Sequence, residues 1–357
     1  MFATLVKNNF FSRYKIVNFI IVLLFVSAMT GCNNDEKAPD VSNIKVHLQT
    51  QRFDRDLVKV DTNNISAGLT DLKRKYPEFL DFFLNTLMEF KLNGGYSDTS
   101  QGIRQGLRIY LTNKDYRGLF DTVAVHFPDT KQTDEQLQKG FQYLKYYYPN
   151  YNVPSVIYML SWLNNWAAFT EGEHTLCIGL DMFLGGNYPF YKSVGIPEYM
   201  ANKLDKDYIP VAAFRAIYEE RNPFHPDNST LLDMMIQKGK EMYFINKILP
   251  FIPEETKMGY TKAQLDWCKS HEAEVYNFFI QSKLLYDNTW QKVLRYVTDA
   301  PTSTGMPVES PGNVGSWVGY QIVKAYMKEH AQMTLPQLLV DKTDAQIFLQ
   351  QSGYKPR

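Results

Sequence analysis

Residues 154–180, PSVIYMLSWLNNWAAFTEGEHTLCIGL, decide the fold class. Val156 to Leu160 and Leu176 to Leu180 are apolar runs too short for helices and without polar alternation. Such runs suit strands covered on both faces. The connection between them passes through Asn164, Asn165 and Trp166 and is polar and aromatic. Downstream the spacing turns helical, predicting helices over 197–204, 210–220, 229–247, 261–285, 289–297, 312–329 and 335–347. Upstream, alternation predicts three half-buried strands: Ile44, Val46 and Leu48; Leu107, Ile109 and Leu111; Val123, Val125 and Phe127. Residues 67–91 carry Leu69, Leu72, Phe79, Phe82, Phe83, Leu87 and Phe90 at helical spacing, with Pro77 starting or dividing a helix. The expectation is an α+β chain, predominantly helical with a small mixed sheet.

Helix starts can be read from reciprocal caps, in which a Thr hydroxyl and a Gln three residues later each satisfy a free backbone N–H. Thr133 with Gln136, Thr261 with Gln264 and Thr334 with Gln337 fit this pattern, and Pro336 suits a first helical turn. The segment APTSTGMPVESPGNVGS, residues 300–316, is long for a connection in a packed body and reads as a polar solvent loop, with a recognition rim as the alternative. No linker is long and charge-biased enough to cut the body in two.

The N-terminus is of another kind. Lys7, Arg13 and Lys15 precede an apolar stretch from Ile16 to Thr30, the pattern of a secretory signal. Met29-Thr30-Gly31-Cys32 resembles a bacterial lipobox, which makes Cys32 the lipidation site and membrane lipid its partner. This divides the chain into a signal at 1–31, a polar tether at 32–42 and a folded body at 43–350. All 357 residues together are formally neutral, with 38 cationic and 38 anionic side chains. Removing the signal takes away three cations, so the mature chain has a charge of about −3. A basic nucleic-acid surface is therefore excluded. Of the three cysteines, Cys177 and Cys268 remain beyond the anchor, enough for one disulfide but read here as two separate core residues.

Familiar catalytic patterns are missing from the sequence. A common zinc-peptidase helix needs two His four residues apart with Glu beside the first, yet His271-Glu272 begins HEAEV and Val275 takes the second His position. His47, His126, His174, His225 and His330 are scattered. There is no GxSxG elbow, phosphate-loop lysine pattern or GxGxxG turn. Cys177 lies in apolar CIGL, and Glu219-Glu220 reads as a solvated helix face. No catalytic, cofactor-binding or metal-ligating residue is assigned. The 24 Tyr, 23 Phe and 5 Trp are read mainly as packing, with recognition as the second reading. A glycan- or protein-binding surface would use Tyr188, Phe190, Tyr191 and Trp317, provided they share one groove.

One set of segments is distributed along the chain: LDMFLG at 180–185, LLDMMI at 231–236 followed by Gly239-Lys240, Gly259-Tyr260, Trp267-Cys268 and Glu272-Ala-Glu274. Ser310-Pro-Gly312, GSWVGYQIV at 315–323 and Tyr326-Met327 complete it. The set resembles the gliding-motility lipoprotein GldB family of Bacteroidota. The resemblance covers about residues 42–340 and makes the body a single GldB-like envelope domain. It implies a non-enzymatic accessory protein of gliding and the linked type IX secretion apparatus, working through other envelope proteins. It also implies a cell-envelope location, outer membrane rather than inner, because Asn33 after Cys32 is unlike an inner-membrane aspartate signal. Asp181, Glu272 and Tyr320 match polar positions of the family and read as supports of loops and helix contacts. The family is distantly similar to zinc-peptidase-like domains, which keeps a metal-dependent hydrolase as the alternative. Against that, VAAFRAIYEER at 211–221 has neither histidine, and Lys238 stands before Gly239 where such a domain favours Glu. An ammonium cannot replace a carboxylate ligand, so the ancestry would make this chain a pseudo-peptidase with a degenerate zincin-like body.

Overall fold

The computed structural model describes residues 37–92, 100–164 and 167–357. Cys32, the signal segment and the connection residues Asn165 and Trp166 lie outside the described residues. The body occupies Asp40–Arg357. Its sheet has four strands, β1 (Thr50–Arg52), β2 (Ser155–Met159), β3 (Ala168–Glu171) and β4 (Thr175–Gly179), in the order β1-β2-β4-β3. β1, β2 and β4 are parallel, with Thr50 opposite Val156 and Ser155 opposite Thr175. β3 runs antiparallel along β4, with Ala168 opposite Ile178. The two central strands are buried from their second residue onward, as their unbroken apolar runs predict. β3 was hidden in the sequence because AFTE is too short to show a period.

The longer helices are α1 (Ile65–Lys75), α2 (Gln101–Thr112), α3 (Lys114–His126), α4 (Lys131–Tyr147), α5 (Ile209–Arg221), α6 (Leu231–Ile248), α7 (Lys262–Ser270), α8 (Glu272–Gln281), α9 (Val314–Glu329) and α10 (Ala345–Ser352). The class is the expected one, mostly helical with a small mixed sheet. α1 ends before Pro77, and a helical turn at Phe79–Phe82 runs into a π-turn at Phe83–Leu87, so the proline divides the segment. Phe53 makes edge-on contacts there with Tyr76, Phe79 and Phe83 at centroid distances of 4.6–5.0 Å.

Two predicted strands are helices. Ile103, Leu107 and Leu111 are buried at four-residue spacing on α2, while Ile109 is exposed. On α3, Leu119, Phe120 and Val123 are buried and Val125 faces solvent. Alternation over five residues is shared by both periods, and the flanking i,i+4 positions decide for the helix. The third predicted strand is extended chain with genuine alternation: Ile44, Val46 and Leu48 are half-buried between exposed partners. Ladder pairing begins only at Thr50, just after the Gln49 carbonyl accepts from Val156 N.

The caps at Thr261 and Thr334 form as expected. Thr133 does not cap, because α4 begins at Lys131 and Thr133 lies buried within it. A further reciprocal cap joins Thr230 to Asp233 at the start of α6, with Asp in place of the usual longer acid or amide. The predicted helix 261–285 is broken at His271 into α7 and α8.

The body centres on the crossing of α6 and α9. A Cβ on Gly319 would lie 1.8 Å from the Met235 carbonyl oxygen, and one on Gly239 would lie 2.3 Å from that of Gly319. Backbone therefore meets backbone, and only glycine admits that approach. Segment 300–316 is more than a solvent loop. Ser303 and Ser310 are buried, Ser303 Oγ donates to Pro311 O at 2.7 Å, and Gly312 fits directly against Ala300. The segment delivers the chain to the start of α9. Among the described residues, no helix is long and apolar enough to cross a membrane.

Candidate binding chamber

Charged residues that interrupt otherwise buried helices collect around one cavity of about 260 Å³. α5 contributes Arg215 and Glu219, α6 contributes Lys238 and Glu241, and Lys203 comes from the turn Glu198–Lys203. Asp299 precedes the 300–316 segment, Asn313 lies near its end, and Ser316 is on the first turn of α9. The glycine crossing brings α9 close enough to α6 for its N-terminus to line the same space.

Glu241 is almost wholly buried and held by two cations, Arg215 Nη1 at 3.1 Å and Lys238 Nζ at 2.8 Å. Burial alone raises its carboxyl, but these two charges reverse the effect and hold it below the ordinary glutamate value. Arg215 also donates through Nη2 to the Lys257 carbonyl at 3.2 Å, while its Nε is buried without a hydrogen-bond partner. Lys203 Nζ lies 2.5 Å from Asp299 Oδ2. Burial pushes the Asp299 carboxyl up, and Lys203 more than offsets it, so the group sits below the usual aspartate value. Asn313 takes the left-handed backbone conformation, φ +63°, immediately before α9. Its Nδ2 reaches Asp299 at 3.4 Å, and its Oδ1 is buried without a partner. Glu219 stands exposed at the mouth. Partial desolvation of its carboxyl, then the charge of Glu241, raises it above the ordinary glutamate value despite the nearby cations.

The residues singled out in the sequence fall elsewhere, and each has a visible packing or supporting task. The fully buried Asp181 carboxylate accepts from Ser161 N, Ser161 Oγ and Leu163 N at 2.8, 3.1 and 2.7 Å. It thereby holds Trp162 and Leu163 in left-handed conformations, φ +52° and +62°, which side-chain-bearing residues rarely adopt. Tyr191 is buried beneath the same turn, donating to Asp181 O at 2.8 Å and accepting from Leu184 N at 2.9 Å. Glu272 receives the Tyr354 hydroxyl at 2.8 Å, tying α8 to the C-terminal tail. Trp317 and Tyr320 are buried in α9.

The four aromatic candidates do not form one groove. Tyr188 touches Phe190 and Tyr191 at 5.5 and 5.2 Å, Phe190 is exposed, and Trp317 is in the core of α9. Cys177 and Cys268 are separate free thiols, both buried. Burial pushes Cys177 well up and Cys268 up to about 12, so neither is an activated thiolate. His271 stacks on Trp267 at 4.5 Å and is the residue preceding α8.

Sequence reading named Glu219 and Lys238 but missed Lys203, Arg215, Glu241, Asp299 and Asn313 as a group. Arg215 and Glu241 had a signal, a charge on an apolar helical stretch, which in a folded body demands a partner. Arg215 and Glu219 stand four residues apart on α5, the spacing that the two histidines of a zinc-peptidase helix would use. Among the described residues, no three His, Cys, Asp or Glu side chains group to hold a metal ion.

These features define an α+β body whose polar centre is an internal ion-pair chamber. The chain matches the model of the lipoprotein family described as gliding motility protein GldB over residues 34–356, and it belongs to that family. Comparison with curated proteins gives no match, and neither does comparison with solved structures.

Proposed function

We propose that this protein is a non-enzymatic, lipid-anchored accessory component of gliding motility and the associated type IX secretion machinery, acting through contacts with other envelope proteins at the outer membrane. The observation that carries this reading is the family match over residues 34–356, which begins two residues beyond Cys32. Its extent supports one function for the whole exported body. Two of the three chamber carboxylates, Glu241 and Asp299, are committed to Arg215, Lys238 and Lys203, which supports a binding or structural role for them over a catalytic one. Carboxylates held below their ordinary values by fixed cations are poor general bases at neutral pH. Lipidation would confine the body to a membrane surface and raise its effective concentration for partners in that layer.

In-cell crosslinking of the lipidated protein, followed by identification of the attached proteins, tests the proposal. Recovery of motility or secretion components, lost when Cys32 is replaced by Ser, is the expected result. Crosslinks to none of them in gliding cells, or peptide hydrolysis by the purified protein that chelation abolishes, would overturn it.

A further inference from the structure

Two tyrosine-rich segments lie at opposite ends of the sheet strands. β1, β2 and β4 are parallel, so the chains that enter β1 and β2 arrive at one end and the chain that leaves β4 departs from the other. Tyr146, Tyr147, Tyr148 and Tyr151 lead into β2 at Ser155, whereas Tyr188 and Phe190 follow β4. The N-terminal chain arrives at the first of these ends. Thr50 Oγ1 donates to Asp134 Oδ2 at 3.4 Å and Gln142 Nε2 donates to Ile44 O at 2.8 Å, so residues 44–50 run antiparallel along α4. Tyr146 lies one turn beyond Gln142 on the same face of that helix. Traced back from Thr50 through Ile44, the chain therefore heads toward Tyr146, and a turn in which Ile44 N donates to Val41 O keeps Asp40 close by.

The folded body begins at Asp40, and Cys32 stands eight residues before it. Eight extended residues span at most about 29 Å, while a body of this length is about 50 Å across. A lipid on Cys32 thus keeps the bilayer on the side of the body where Tyr146 lies. The surface there suits such a neighbour. Tyr146 is 48% exposed, Tyr147 and Tyr148 are half-buried, and Tyr148 and Tyr151 line a small cleft with Leu144, Ile217 and Leu339. Val340, next to Leu339, is 73% exposed. Lys145 Nζ donates to Tyr151 O at 3.2 Å, and the Arg221 guanidinium stands over the Tyr151 ring at 5.0 Å, with exposed Glu220 beside it. Rings with a polar tip and cations on long apolar stems are the side chains that settle between hydrocarbon and headgroups. We propose that this end, centred on Tyr146 and Tyr147, rests on the phospholipid bilayer, and that the end carrying Phe190 faces away from it. The proposal deepens the accessory reading and rests on its lipid anchor.

The test uses the full lipidated protein in vesicles of phosphatidylethanolamine and phosphatidylglycerol. Tyr146→Cys and Phe190→Cys, both at exposed positions, are each labelled with an environment-sensitive fluorophore, and Cys177 and Cys268 do not compete because they are buried. The label at 146 shifts to the blue and is quenched by lipids brominated on their acyl chains, and the label at 190 does neither. Nitration of the protein without substitutions gives the same reading by a second route: Tyr146 is protected in the vesicles and Tyr199, exposed in the turn that follows the Phe190 segment, is modified. Vesicle-attached protein whose label at 146 stays in water, or is quenched no more than the label at 190, overturns the proposal and leaves the anchor standing. Protein that does not attach to vesicles overturns both. A label at 146 that is shielded in native envelope membranes but wet in pure lipid means that a protein partner covers this end, and that too overturns the proposal.

Discussion

Gly239 and Gly319 place two long buried helices closer than any side chain would allow. An alanine at 319 would push its Cβ into the Met235 carbonyl, which is backbone and cannot rotate aside. Gly319→Ala is expected to destabilise the body by about 2–3 kcal/mol through overpacking, visible as a lower thermal midpoint. An unchanged midpoint would mean the helices separate freely. Asp181 acts at the same scale. Asp181→Asn loses an acceptor for one of the three donors it serves and leaves the Trp162–Leu163 turn less well held, a loss of about 1–3 kcal/mol by chemical denaturation. These two predictions explain why LDMFLG and GSWVGYQIV stood out in the sequence without suggesting chemistry. Their residues solve a backbone problem.

At the scale of elements, caps and ion pairs decide how the chamber's helices are held. Thr230→Ala removes the hydroxyl that accepts from Asp233 N and should cost about 1 kcal/mol, read as a lower denaturant midpoint. The ion pairs set the acid response. Asp299 and Glu241 have folded values below their ordinary ones, so the unfolded chain binds protons first as the pH falls. Their contribution is complete above the ordinary carboxylate values and is lost as the pH drops through the lowered ones. Lys203→Met takes away the charge that depresses Asp299 and should lower stability by about 1–2 kcal/mol at neutral pH, with Asp299 partly solvated. The deficit should shrink at an acid pH, as the pH falls below the ordinary aspartate value toward the lowered value that Asp299 has beside Lys203. Thermal melts of both proteins at the two pH values check this, and a pH-independent deficit would show that Lys203 acts through packing alone. Burial holds Lys257 down at about 8, so its desolvation cost is present below that value and relieved as the pH rises toward 10.5. Element boundaries were legible where a cap or a proline marks them, as at Thr261, Thr334 and Pro77. They were misread where five residues of alternation fit both periods, as at Leu107–Leu111 and Val123–Phe127.

For the whole molecule, membership of the gliding motility protein GldB family and the lipobox at Cys32 combine into one expectation about place. Cys32→Ser should leave the body folded but move it from the membrane to the soluble fraction of fractionated cells, with gliding reduced alongside. Retention in the membrane would show a second means of attachment. Mixed α+β class, buried central strands and family were all readable from the sequence alone, because each rests on local composition or on a co-linear set of motifs. The chamber was not. Lys203, Arg215, Lys238, Glu241, Asp299 and Asn313 are distributed over more than a hundred residues, and a charge on an apolar helix says that a partner exists without saying which. Only the crossing of α6 over α9 at the two glycines brings those side chains round one space, since that approach depends on backbone contact between segments about eighty residues apart.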